Sequence, residues 1–151
     1  MRKSWLRGGL LLLASAPLVV GLWALLVPRS FYDEFPLPGR NWVSTLGPYN
    51  EHLVRDVGAL NLAMGTLLIF VAALLELRLV QVSLVAWLAY AVPHFLFHLT
   101  QAHHFSPFDN LANLGVLGLA VVFPLLLLAG TIRTSRGGKP DEIRKRGETP
   151  T

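Results

Sequence analysis

The side chains best able to do chemistry fall in three short stretches of the chain. The first is Tyr49-Asn50-Glu51-His52-Leu53-Val54-Arg55-Asp56. The second is Pro93-His94-Phe95-Leu96-Phe97-His98, followed by Gln101, His103 and His104. The third is Asp109-Asn110 with Asn113. All five histidines lie in these stretches. His94 and His98 are four residues apart, so on a helix they share one face about one turn apart. Two imidazoles so placed can ligate one metal ion. A transition metal is the first cofactor to expect of this pair, and haem iron the second. Glu51 and Arg55 are also four apart, with the acid on the N-terminal side, the better order for a helical ion pair. His52–Asp56 and Asp109–Asn113 repeat the spacing, and a carboxylate beside an imidazole can orient the ring or hold its proton. The candidate site is therefore Glu51, His52, Arg55, Asp56, His94, His98 and Asp109, with His94 and His98 as the metal ligands.

The segments that must position these residues are apolar. Of 151 residues, 53% are hydrophobic and 15% charged, against about 25% charged in a soluble domain. Apolar runs cover about 8–27, 53–75, 79–99 and 111–132. Each has the roughly 20 residues an α-helix needs to cross a bilayer. Lipid offers no partner to free backbone N–H and C=O groups, so spans are helices or closed barrels. Runs such as Leu10–Val27 lack the apolar–polar alternation of a barrel strand. The expected fold is all-α, an integral membrane four-helix bundle, with one transmembrane domain over 1–132 and a disordered basic tail over 133–151. Ala14-Ser15-Ala16 resembles a signal-peptidase site. Pro17 directly after it, and the apolar run on to Val27, favour a retained span.

Charge sets the expected orientation. Six of the 13 Lys and Arg lie in the last 19 residues and three in the first seven. The link between the third and fourth runs holds no Lys or Arg, and loop 28–52 sets Arg29 and Arg40 against Asp33, Glu34 and Glu51. Positive residues favour the cytoplasmic side, which puts both termini inside. The net charge of +4 is thus a topology signal, with the tail resting on anionic lipid heads, rather than a nucleic-acid surface. That topology carries all three polar stretches to the outer face. The loop over 28–52 interleaves Phe31, Tyr32, Phe35, Trp42 and Tyr49 with four prolines, the make-up of an interfacial cap or a lid over a pocket.

The absence of cysteine excludes disulfides, thiolate metal sites and cysteine nucleophiles. No glycine-rich phosphate loop, dinucleotide fingerprint or nucleophile elbow occurs. Five histidines are too few for the iron boxes of a desaturase-like enzyme. The inner halves of the runs offer no polar path, which argues against a transporter.

The four-span layout, with Arg55-Asp56-Val57-Gly58-Ala59-Leu60-Asn61-Leu62-Ala63-Met64-Gly65 opening the second span, resembles the DoxX-like group of small bacterial membrane proteins. It is similar also to four-span proteins of high-GC Gram-positive bacteria. The resemblance implies a four-helix fold in a bacterial plasma membrane and a loose link to redox accessory roles, and it transfers no catalytic residue. Two functions follow from the residues. One is a polar site at the outer face that binds a metal ion or a lipid-like ligand. The other is a non-catalytic accessory or assembly protein, with a membrane protein or a second copy as partner, whose polar cluster is structural.

Overall fold

The computed structural model describes residues 2–137, without the side chains of 134–137. The described residues form five α-helices and no strand: α1 (Lys3–Leu26), α2 (Pro28–Glu34), α3 (Glu51–Leu74), α4 (Leu77–Thr100) and α5 (Pro107–Gly137). The chain is all-α, as its apolar runs predict. Segments Lys3–Leu26, Glu51–Leu74, Leu77–Thr100 and Pro107–Arg133 are each long and apolar enough to cross a membrane. Large apolar side chains such as Leu60, Phe70, Leu111, Leu119 and Leu126 stand exposed along them. Water would not tolerate so wide an apolar surface, whereas lipid does. The protein is a multi-pass membrane protein. The tail expected from 133 begins as helix, since α5 runs to Gly137. Residues 138–151 lie outside the described residues.

The helices pack as two antiparallel pairs, α1 on α3 and α4 on α5, joined by the α3–α4 turn and lighter contacts between α1 and α5. The α1–α3 seam is built on glycine. A Cβ added to Gly21 would lie 2.6 Å from the Leu62 nitrogen, and one added to Gly58 would lie 2.6 Å from the Leu25 nitrogen. Only hydrogen fits there, so the backbones touch. Arginines close both ends of this seam. Arg7 of α1 donates to the Ala72 carbonyl near the end of α3, at 3.1 Å. Arg55 of α3 donates to the Leu25 carbonyl near the end of α1. The last carbonyls of a helix have no partner within it, and a cation there also opposes the negative end of the helix dipole.

The main core lies at the end of the bundle that holds the termini, where Leu10, Leu68, Val71, Val80 and Leu84 are fully buried. There α3 turns into α4 through Leu75, whose φ of 51° is the left-handed conformation that ends many helices. A smaller cluster, Ala24, Phe31 and Val54, lies at the opposite end, under the long loop. Helices α1, α4 and α5 continue through Pro17, Pro93 and Pro124.

Candidate functional site

The loop between α1 and α3 is ordered. Pro28, suited to the first turn of a helix because it lacks an N–H, opens α2. Phe31 and Phe35 pack on Trp23 with ring centroids 5.8 and 6.1 Å away. Trp42 meets Phe35 at 6.2 Å, and the Tyr32 hydroxyl donates to the Gly47 carbonyl. These rings seat the loop on α1 and α3. Its far side is anchored to α5. Arg40 donates to Asp109 at 2.7 Å and the Trp42 indole donates to the same oxygen at 2.9 Å. The Arg40 guanidinium also lies over the Phe108 ring, 4.9 Å from its centroid. Asp109 and Ser106 bond each other at the start of α5. The Asp109 N–H donates to the Ser106 hydroxyl at 3.2 Å, and that hydroxyl donates back to the second carboxylate oxygen at 2.6 Å.

The bonded partners divide the seven candidate residues into three sets. Glu51–Arg55 (2.9 Å) and His52–Asp56 (3.2 Å) pair along α3 at the spacing read from the sequence, with all four side chains well exposed. The carboxylate of Asp109 is held by Arg40, Trp42 and Ser106, where the sequence spacing had pointed to Asn113. His94 and His98 form the third set, their rings 4.7 Å apart on α4. Among the described residues, no three His, Cys, Asp or Glu side chains stand close enough together to hold a metal ion. The expected metal site thus has two ligands from this chain rather than three or four, and structural and catalytic zinc sites use at least three.

The histidine pair belongs to a longer stripe. Tyr90 stacks on His94 with centroids 5.3 Å apart, and His98 lies against Phe97 and Phe105. Asn61 of α3 stands beside the Tyr90 hydroxyl. Tyr90 was missed by sequence reasoning, although it precedes His94 by the same four residues that separate His94 from His98. Helix α5 packs along α4 in antiparallel register. Gln81 meets Thr131 at 3.4 Å, the Trp87 indole donates to the Ala120 carbonyl at 2.8 Å, and the Phe95 ring lies beside Gly118. The same antiparallel register, carried one turn further, brings His98 level with Asn113. The His98 Nδ1 and the Asn113 Oδ1 are both buried without a hydrogen-bond partner. Asn113 is 3% exposed. Such an atom costs free energy, and native proteins hold few of them. No family model, curated protein or solved structure matches this chain. The reading of the site therefore rests on its own geometry.

The three sets differ in what they can do. Exposed pairs on one helix contribute little to stability and leave both partners neutralised. Both oxygens of Asp109 already serve the loop and the start of α5. The His98 Nδ1, at the end of the α4 stripe, and the Asn113 Oδ1 of α5 are hydrogen-bonding capacity left unused among apolar side chains, the composition of a small-molecule site.

Proposed function

We propose that this chain is a membrane-embedded binding protein whose Tyr90–His94–His98 stripe and Asn113 take the polar head of a lipid-like ligand between α4 and α5. The observation that carries this reading is the pair of buried, unpartnered atoms, His98 Nδ1 and Asn113 Oδ1, at one level of two facing helices. An imidazole nitrogen is a donor or an acceptor according to its tautomer, and an amide oxygen is an acceptor. Together they suit a ligand hydroxyl, carboxyl or carbonyl group whose apolar part stays in the bilayer. A transition metal on His94 and His98 would need further ligands from the ligand itself or from another chain. The DoxX-like resemblance adds no residue to this site.

Stability separates a binding site from a packing network. Asn113→Leu removes a buried oxygen without a partner, which costs about 1–3 kcal/mol when left unsatisfied. The ligand-free protein in detergent is therefore expected to be as stable as the wild type or more so, by thermal unfolding. A clear loss of stability would mean that the amide has a structural partner and would sink the proposal.

One set of observations favours the second reading, a non-catalytic accessory protein, for the rest of the polar residues. Glu51, Arg55, His52, Asp56 and Asp109 are all engaged with neighbours of their own chain. Crosslinking in native membranes that captures a defined partner would support that reading, and recovery of the isolated protein alone would oppose it.

We place both termini on the cytoplasmic side of a bacterial plasma membrane, with the long loop outside. The chain contains no cysteine, so single cysteines report topology directly. Leu37→Cys, at an exposed loop position, is expected to react with an impermeant maleimide in intact cells, and Ser4→Cys only after permeabilisation. The reverse pattern would invert the protein and move the proposed site to the inner face.

A further inference from the structure

The end of the bundle that holds the termini carries a second feature. An apolar groove of about 470 Å³ runs along the seam of α1 and α5, lined by Ser4, Trp5, Gly8, Gly9, Phe123 and Leu127 among others. Two glycines open it. A Cβ on Gly8 would meet nothing within 4 Å, so a side chain there would project into free space. A Cβ on Gly9 would come within 2.8 Å of the end of the Leu127 side chain, so the Leu127 and Phe123 side chains form the groove floor. The groove faces the surface that lipid covers, and its volume lies within the range of small-molecule sites.

Its mouth is positive. Arg2 and Lys3 directly precede Ser4 and Trp5, and both are exposed. Arg2 sits at the N-cap of α1, where no side chain caps the first turn and no acidic residue lies in it. The free N–H groups of a helix start, with the positive end of its dipole, favour an anion. Arg7, Arg78 and Arg133 lie at the same end of the bundle, against Glu76 alone among the described acidic residues. The arrangement pairs a slot for a hydrocarbon chain with a cationic rim at the depth of the lipid headgroups.

We propose that this groove is a binding site for one anionic phospholipid. An acyl chain fills the slot over Gly8 and Gly9, and the phosphate rests at Arg2, Lys3 and the start of α1. The occupant is a lipid because the groove opens to the bilayer, and an anionic one because Arg2 and Lys3 stand at its mouth beside the uncapped start of α1. This site is separate from the one proposed at the loop end.

The test is native mass spectrometry of the full-length protein in mild detergent, with phosphatidylglycerol or phosphatidylcholine of identical chains. The wild type is expected to retain one phosphatidylglycerol several-fold more than phosphatidylcholine. Gly8→Leu, which has room for its side chain, is expected to lower retention of both lipids several-fold by filling the slot. The double variant Arg2→Gln/Lys3→Gln leaves the slot open and is expected to abolish the preference while keeping the phosphatidylcholine level. Arg29→Gln, at the opposite end of the bundle, is expected to change neither. Equal retention of the two lipids by the wild type would overturn the proposal. So would a Gly8→Leu protein that binds as the wild type does, or a preference that survives the double variant.

Discussion

Gly58→Leu is expected to force α1 away from α3 and, with Gly21→Leu, to be among the most damaging single substitutions in the protein. The Cβ alone would stand 2.6 Å from the Leu25 nitrogen and 3.0 Å from the Gly21 carbonyl oxygen. Both are backbone atoms of α1, so no rotamer change relieves the clash. Either the helices separate, losing the close contact that holds apolar spans together in lipid, or the backbone distorts. Overpacking a well-packed seam costs roughly 1–3 kcal/mol, and rigid neighbours put this site at the top of that range or above. The separation would also pull Arg7 from Ala72 and Arg55 from Leu25, because both bonds span the same seam. The control is Gly115→Leu, where a Cβ meets nothing within 4 Å. Thermal unfolding in detergent is expected to show a large drop for Gly58→Leu and little change for Gly115→Leu. Equal effects would mean that helix propensity, not the seam, governs both positions.

Asp109→Ala is expected to release the long loop from α5. One carboxylate oxygen accepts from both Arg40 and Trp42, and its neighbour accepts from Ser106. Alanine removes both acceptor oxygens and with them three hydrogen bonds, leaves the Arg40 guanidinium without a counter-ion and frees the Ser106 hydroxyl. The aromatic contacts on Trp23 remain, so the loop base is expected to stay seated while its far side opens. Limited trypsin digestion reads this directly, because Arg40 is both the anchor and a cleavage site. Where opening is fast, proteolysis follows the open population, and cleavage after Arg40 is expected to rise roughly tenfold. Cleavage after Arg29, whose partner Asp33 lies in the same helix at 2.6 Å, is the internal reference and is expected not to change. An unchanged ratio of the two cuts would show that the aromatic cluster alone holds the loop.

Much of the fold is legible in the sequence because the bilayer imposes a single strong rule. Twenty or so apolar residues must form a helix, so four runs yield four long helices. The boundaries differ where hydrogen bonding and hydropathy part company. The first run reads from Gly8, yet α1 begins at Lys3, because Lys3–Arg7 is polar enough for the interface and still helical. Helix α2 was hidden in the loop, although Pro28 at its start is a readable signal. The site is less legible. Spacing of four residues identifies neighbours on one helix, and Glu51–Arg55, His52–Asp56 and His94–His98 all stand as spaced. Spacing says nothing of which helix faces which. The capture of Asp109 by Arg40 and Trp42 spans 69 and 67 residues, and the level shared by His98 and Asn113 depends on the α4–α5 register. The polar residues therefore reached the expected end of the bundle but divided among separate partners.

If the unpartnered atoms of His98 and Asn113 are kept for a ligand, that ligand should leave the membrane with the protein. The most direct measurement is mass spectrometry of organic extracts, with elemental analysis of the same samples. The proteins compared are the wild type, His98→Phe and Asn113→Leu, each purified from membranes in mild detergent. An apolar molecule with a hydroxyl, carboxyl or carbonyl head is expected in the wild-type extract, depleted in both variants, with no stoichiometric metal. Identical extracts from all three proteins would contradict it. A near-stoichiometric transition metal that vanishes with His98→Phe would contradict it as well, and would make His94 and His98 metal ligands instead.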